Sequence, residues 1–458
     1  MTQPRAASRV TSGPLRAVVP VLLVGAVLLV SALPPGAAAA AGSAAGPERA
    51  AAAAPGSPSA EPGDWWYDKL RVTDAHRVTR GAGITIGLID GPVDPTVPEL
   101  AGQPVVPVTG FCTGQETAVS RAPHATHATG LAALLVGSGR GTGPGGTGQR
   151  GIAPEAQVRV YAVDDGTKAP SLHCLPRAGE RGVLTYDQVV GVAIDAAVRD
   201  GVDVLNISLG GGDSRRTAEA LGRAREAGVL VVVAAGNRVG PVPAQSTNVL
   251  ALDGQAVAVT AVDSQAQPWP ENASGTGVLV GAPGVDLALG GRAADGAWDS
   301  TLRADGTSAA AALVSGTMAL VRSRYPDATR NQLVRHLATS TSASELFHTD
   351  ELGFGIISLA RLLEQDPGRQ PDDDPFATRP PGSVDVAVLL EGRPVAAPGT
   401  GAPAAPAAED GTTATSGRDQ GLPTVLLAAL GIAAGLVLVL FAAVRTVRRR
   451  SHRLPTGA

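Results

Sequence analysis

The chain has 458 residues, 37 basic against 41 acidic side chains, and a formal net charge of −4. No basic stripe crosses its middle, which excludes a nucleic-acid binder held by phosphate contacts. Aromatic residues are only 3% of the chain, so its core must be built from Val, Leu, Ile and Ala.

Arg5, Arg9 and Arg16 precede an apolar run from Ala17 to Leu33, followed by Pro34-Pro35-Gly36 and a string of alanines. This order matches an export signal with small-residue cleavage sites, expected over residues 1–41. An uncleaved anchor is the competing reading. Residues 42–64 are rich in Ala, Pro and Gly and too poor in large apolar groups to order themselves. Trp65-Trp66-Tyr67 marks the start of folded structure, as an arm expected to pack on the body.

Ile84 to Ile89 reads as a short apolar strand covered on both faces, ending in Asp90. His124-Ala125-Thr126-His127-Ala128-Thr129-Gly130 opens a helix, and a Gly-rich loop runs from Gly137 to Gly151. Strands are expected at Gln157–Val163, Asp203–Ser208, Val229–Ala234, Val257–Ala261 and Val278–Gly281. Thr185 to Gln188 has capping-box spacing for a helix to about Asp200, and another helix is expected from Ser214 to Ala227. Strands alternating with helices over residues 65–365 predict one α/β domain with a mainly parallel sheet and helices on both faces.

Asp305-Gly306-Thr307 reads as a turn that delivers Ser308 to the first turn of a long apolar helix. There the backbone N–H groups lack intrahelical partners and the dipole is positive, a setting for an attacking hydroxyl. A serine at a helix start is also an ordinary N-cap. A further helix is expected near Thr329–Ala338, with Gly353 to Ile357 closing the domain.

Residues 366–421 shift to Pro, Ala, Gly, Thr and acids, a linker composition. Leu422 to Val444 contains no charge and spans about 34 Å as a helix, enough for a hydrocarbon core of ~30 Å. Five arginines between Arg445 and Arg453 follow it. They assign residues 445–458 to the cytoplasm and everything before the span to the outside. Cys112 and Cys174 are the two cysteines; in an exported chain they suggest one disulfide, two buried thiols being the other reading. His173 beside Cys174 lacks the ligand count of a zinc site. No loop has calcium-ligand spacing, so neither metal nor cofactor is expected.

Five segments, I-D-G-P-V-D (89–94), H-A-T-H-A-T-G (124–130), S-L-G (208–210), A-A-G-N (234–237) and G-T-S-A-A-A-A-L-V-S-G (306–316), resemble the subtilisin-like serine proteases. Their order Asp, His, Ser is the subtilisin order. The resemblance implies that Ser308 is the nucleophile, His124 its general base and Asp90 the residue that orients the imidazole. It further implies Asn237 as an oxyanion donor and Ser208-Leu209-Gly210 as the segment that pairs with substrate backbone. His127 is expected to be a structural helix residue. Four positions depart from the family pattern: Gly91 stands for Thr or Ser, Ala125 for Gly, Ala309 for a larger residue and Ala312 for Pro.

The export signal, single anchor, Pro-rich linker and aromatic arm narrow the resemblance to the mycosins, membrane-anchored proteases associated with type VII secretion. This implies an extracytoplasmic endopeptidase that cleaves secreted proteins and has a second role in holding a secretion complex together. It also implies an N-terminal extension wrapped around the body and a loop disulfide near the cleft, which fits Cys112 and Cys174. A scaffold whose protease site is dispensable, and a general degradative protease, are the rival expectations.

Overall fold

The computed structural model describes residues 63–111, 118–163, 184–210, 214–238, 248–252 and 255–375. Two short helices, α1 (Trp65–Lys69) and α2 (Val72–Ala75), lead into β1 (Thr85–Asp90) and β2 (Val105–Val108). A one-turn 3-10 helix over Pro123–Ala125 precedes α3 (Thr126–Val136), and a ribbon of β3 (Ser138–Arg140) and β4 (Thr147–Arg150) precedes β5 (Gln157–Ala162). Then follow α4 (Tyr186–Arg199), β6 (Val204–Ile207), α5 (Arg215–Glu226), β7 (Leu230–Ala234), α6 (Val249–Leu252), β8 (Val257–Val262) and β9 (Val278–Pro283). Four two-residue strands come next: β10 (Leu287–Ala288), β11 (Gly291–Arg292), β12 (Trp298–Asp299) and β13 (Arg303–Ala304). The body closes with α7 (Thr307–Arg324), α8 (Arg330–Thr339) and α9 (Leu359–Glu364).

Seven strands form one sheet in the order β2-β5-β1-β6-β7-β8-β9, every pair parallel. The residues of β6, β7, β8 and β9 are all buried, because helices cover both faces. One face packs against α3, α7, α8 and α9 around Leu134, Leu313 and Leu337. The other packs against α4 and α5 around Val190, Ile194 and Leu221. From β1 the chain passes to the edge strand β2, returns through β5 beside β1, and crosses to β6 on the other side of β1. The carboxyl ends of β1 and β6 therefore meet at the topological switch point, where open α/β sheets place their chemistry.

Thr185 caps α4 with the reciprocal bonds of a capping box, as its spacing predicts. The loop expected over residues 137–151 instead contains the β3–β4 ribbon. The aromatic arm lies on the body. Trp65 Nε1 donates to the Val285 carbonyl at 3.0 Å, Trp66 is fully buried, and the Arg150 guanidinium lies 3.7 Å from the centre of the Tyr67 ring. Gly63 has φ of 101°, and a Cβ there would fall 2.8 Å from that of Ala288, so only glycine fits where the arm meets β10.

From residue 366 to residue 375 the chain stays on the body. Asp373 pairs with the buried Arg335 at 2.9 Å, Asp374 pairs with Arg225 and Arg330, and Asp372 accepts from Thr329 and Asn331. The linker-like composition hides this because three successive aspartates read as solvated charge, whereas here Asp373 and Asp374 meet cations on α5 and α8 and Asp372 meets the capped start of α8. Among the described residues no helix is long and apolar enough to cross a membrane. The apolar stretches at 17–33 and 422–444 and both cysteines lie outside the described residues.

At Gly316, helix α7 closely approaches α3 and the segment that follows β4. A Cβ on Gly316 would fall 2.1 Å from Ile152 Cγ2, itself fully buried. Alanine in a helix interior ordinarily gains about 1 kcal/mol over glycine. Overpacking costs about 1–3 kcal/mol and outweighs that gain here. Gly316→Ala is therefore expected to lower unfolding free energy by about 1–2 kcal/mol in urea denaturation.

Candidate active site

Asp90 ends β1 and is 2% exposed. Its Oδ1 accepts the Gly91 N–H at 2.7 Å and faces Nδ1 of His127 at 2.9 Å. Its Oδ2 is buried and has no hydrogen-bond partner among the described residues. Gly91 contributes only its backbone N–H to this carboxylate and has no hydroxyl to offer the second oxygen. The carboxylate can only accept, so His127 donates through Nδ1 and leaves the Nε2 lone pair free.

This pairing corrects the histidine expected from sequence. His124 lies in the exposed 3-10 turn, and among the described residues its imidazole has no hydrogen-bond partner. His127 lies in the first turn of α3 with its side chain 45% exposed, so one edge meets Asp90 and the other faces solvent. The signal was present in the sequence. H-A-T occurs twice in tandem, as His124-Ala125-Thr126 and His127-Ala128-Thr129, so the segment can be read in two frames three residues apart. The second frame places Ala128, fully buried, after the histidine, and Ala125 ceases to be a departure at the site. Thr129 fixes the frame by donating to the Ala125 carbonyl at 2.6 Å and accepting the Asp94 N–H at 2.9 Å. The Asp90 charge raises His127 above the usual imidazole value of 6.5; burial opposes this and the shared hydrogen bond adds to it.

Ser308 is the second residue of the 18-residue helix α7. The excursion before it is closed at its base by the Gly306 N–H donating to the Gly284 carbonyl at 2.8 Å. Asp305 Oδ1 also accepts the Asp286 N–H, and Arg292 pairs with Asp94, tying the excursion to the loop after β1. The Ser308 hydroxyl donates to the Ser208 carbonyl at 3.2 Å. No hydrogen bond joins it to His127 among the described residues, so the Ser308 hydroxyl rests on the strand side.

Asn237 follows β7 and lies beside the start of α7. Its Oδ1 accepts from the Thr307 N–H at 3.1 Å and from the Thr307 hydroxyl at 2.8 Å. A backbone N–H can only donate, so the oxygen must face Thr307 and the amide nitrogen is left for another acceptor. The same hydroxyl accepts the Gly236 N–H at 3.2 Å. Asn237 is thus locked to the residue preceding Ser308. Of the segment after β6, the Ser208 carbonyl accepts from Ser308, the Leu209 carbonyl accepts from Asn248 Nδ2 at 2.8 Å, and Gly210 is exposed. Asp90, Ser208 and Asn237 come from the carboxyl ends of the adjacent strands β1, β6 and β7, with His127 and Ser308 from the two helices above them. The buried Ala309 and Ala312 pack inside α7 and remove no proton-transfer group.

Thr307→Val removes a donor to Asn237 and an acceptor of Gly236 together. The expected loss is about 1–3 kcal/mol of unfolding free energy, read by urea denaturation, with secondary structure unchanged by circular dichroism.

Residues 81–356 match the subtilase family. Subtilisin DY of Bacillus licheniformis is 28% identical over 282 residues, covering 61% of this chain and 90% of that relative. Mycosin-1 of Mycobacterium tuberculosis is 30% identical over 386 residues, covering 72% of this chain and 81% of the relative. The crystal structure of MycP1 from the ESX-1 type VII secretion system superposes with a TM-score of 0.54 at 24% identity, over 70% of this chain and 90% of that one. The MycP3 protease from the type VII (ESX-3) secretion system superposes with a TM-score of 0.51 at 26% identity, over 68% of this chain and 90% of that one. A family match over more than half the chain, a relative at 30% identity and an all-parallel sheet with a buried aspartate paired to a histidine at its switch point agree: this chain belongs to the subtilase family as a mycosin-type, subtilisin-like serine endopeptidase.

Proposed function

We propose that Asp90, His127 and Ser308 form the catalytic triad of an anchored extracytoplasmic endopeptidase that cleaves secreted proteins. The observation that carries this reading is the 2.9 Å contact between the buried Asp90 carboxylate and His127 Nδ1. That contact fixes the tautomer in which Nε2 can take a proton from Ser308. On binding, substrate displaces the Ser308 hydroxyl from the Ser208 carbonyl, and rotation about the Ser308 Cα–Cβ bond brings it toward His127. Attack on the scissile carbonyl transfers the hydroxyl proton to His127, which returns it to the leaving amine. The developing oxyanion is met by the Ser308 N–H and the Asn237 amide nitrogen, at the positive end of α7. The carbonyl vacated at Ser208 and the open backbone at Gly210 take the substrate as an added strand.

The apolar runs at 17–33 and 422–444 and the arginines after the second support export, a single membrane anchor and a cytoplasmic tail. Relatedness to Mycosin-1 and to proteases of type VII secretion systems supports service to such a system, with its components as partners.

Labelling of the purified full chain by a fluorophosphonate tests the assignment. Ser308→Ala is expected to abolish labelling, and His127→Ala to slow it on the order of 10³-fold or more. His124→Ala is expected to leave the rate within a few-fold of the parent; equal losses at the two histidines overturn the choice between them. The pH profile supplies an independent reading. Activity needs neutral His127, and the Asp90 charge raises its pKa, so the acid limb of kcat/KM is expected above 6.5. Asp90→Asn removes the largest raising influence. It should move that limb to lower pH while kcat falls on the order of 10⁴-fold.

A further inference from the structure

Asn206 stands in β6 between Leu88 of β1 and Val232 of β7, and is fully buried. A carboxamide there, in the middle of an apolar parallel sheet, is unfavourable unless each of its groups is hydrogen-bonded. Each one is. Asn206 Nδ2 lies 2.8 Å from Ser208 Oγ, Ser208 Oγ lies 3.1 Å from the Ser308 carbonyl, and Ser315 Oγ lies 3.0 Å from Asn206 Oδ1. Chemistry fixes the direction of every bond. The Ser308 carbonyl can only accept, so the Ser208 hydroxyl donates to it and must itself accept from Asn206. The amide nitrogen therefore faces Ser208 and the amide oxygen faces Ser315, whose single hydroxyl proton is shared between Asn206 Oδ1 and the Ala311 carbonyl at 2.9 Å.

Asn206 and Ser208 alternate along the chain onto the same face of the sheet, the face that α7 covers. Ser308 and Ser315 are seven residues apart, two turns of helix, and so lie on one side of α7 about 10 Å from each other. The strand therefore grips the helix at two points along its axis. One point sets its height above the sheet; two also set its rotation about its own axis, and that rotation decides where the Ser308 hydroxyl points. When the hydroxyl leaves the Ser208 carbonyl for His127, the tie between the Ser208 hydroxyl and the Ser308 carbonyl remains.

We infer that Asn206 and Ser208 are positioning residues for the nucleophile, acting through the paired bonds to Ser308 and Ser315 rather than on substrate. The inference rests on Ser308 being the nucleophile. It adds a side-chain role to Ser208, whose backbone alone serves the substrate strand.

The test uses the full chain purified in detergent, a chromogenic peptide substrate and a fluorophosphonate. Ser208→Ala deletes the tie while keeping the backbone carbonyl. Its expected result is a kcat lowered roughly tenfold to a hundredfold with KM unchanged, the cost of a nucleophile displaced by a fraction of an ångström to an ångström. Ser208→Thr, which keeps the hydroxyl, is expected to recover most of the loss. Asn206→Leu is expected to repeat the loss, and the double variant to lose no more than the worse single one, because the two act in series. Parental kcat in folded Ser208→Ala overturns the inference. So does a rise in KM alone, or a loss that merely follows the unfolded fraction in a thermal melt. A crystal structure of Ser208→Ala decides the matter without activity: Ser308 should be displaced or α7 rotated, and an unmoved Ser308 refutes the tie. A parent chain that fails to react with the fluorophosphonate defeats the nucleophile assignment instead, and the crystal comparison still judges the tie.

Discussion

The site is organised by one carboxylate with too few partners. Asp90 is sealed at the end of the interior strand β1, where one carboxylate oxygen is buried with no partner among the described residues, and a buried carboxylate of this kind requires a positive or donating neighbour. His127 is that neighbour. Its ring is fixed by the need of Asp90 for a donor, and this in turn decides which ring nitrogen is free to act as a base. The sheet order, the closure of the excursion at Gly284 and Gly306, and the Ala-lined contact of α3 with α7 all converge on holding these groups over the same strand ends.

The large elements were legible because their causes are local. Unbroken runs of Val, Ile and Ala signal parallel strands covered on both sides, and Thr185 with Gln188 marks a helix start by two hydrogen bonds that any chain with that spacing can make. The placement of Asp90 and Ser308 was legible for a similar reason, since each sits at the end of a recognisable element. The histidine was not. In H-A-T-H-A-T both frames carry the same residues, and both histidines lie near the loop after β1: a Cβ on Gly91 would come within 3.3 Å of the His124 carbonyl. Only the register set by Thr129 between Ala125 and Asp94 decides which imidazole reaches Asp90, and that register is a tertiary fact.

The short ribbons β10 to β13 were equally hidden, being two residues long and without alternation. They hold because distant groups fasten them: Trp298 Nε1 donates to the buried Glu99, and Ser300 meets Thr142. Asn206 is the converse case. A carboxamide within an otherwise apolar strand is visible in the sequence, but its meaning depends on two serines more than a hundred residues away.

The aspartates at 372–374 bear on mechanics. The segment at 366–375 is fastened to the body by Arg225 on α5, by Arg330 and Arg335 on α8, and by Thr329, Asn331 and Gln332 at the start of α8. The start of α7 is held separately, by the strand beneath it. A displacement of the segment at 366–375 therefore reaches the outer helices without passing through the contact between α7 and the strand beneath it.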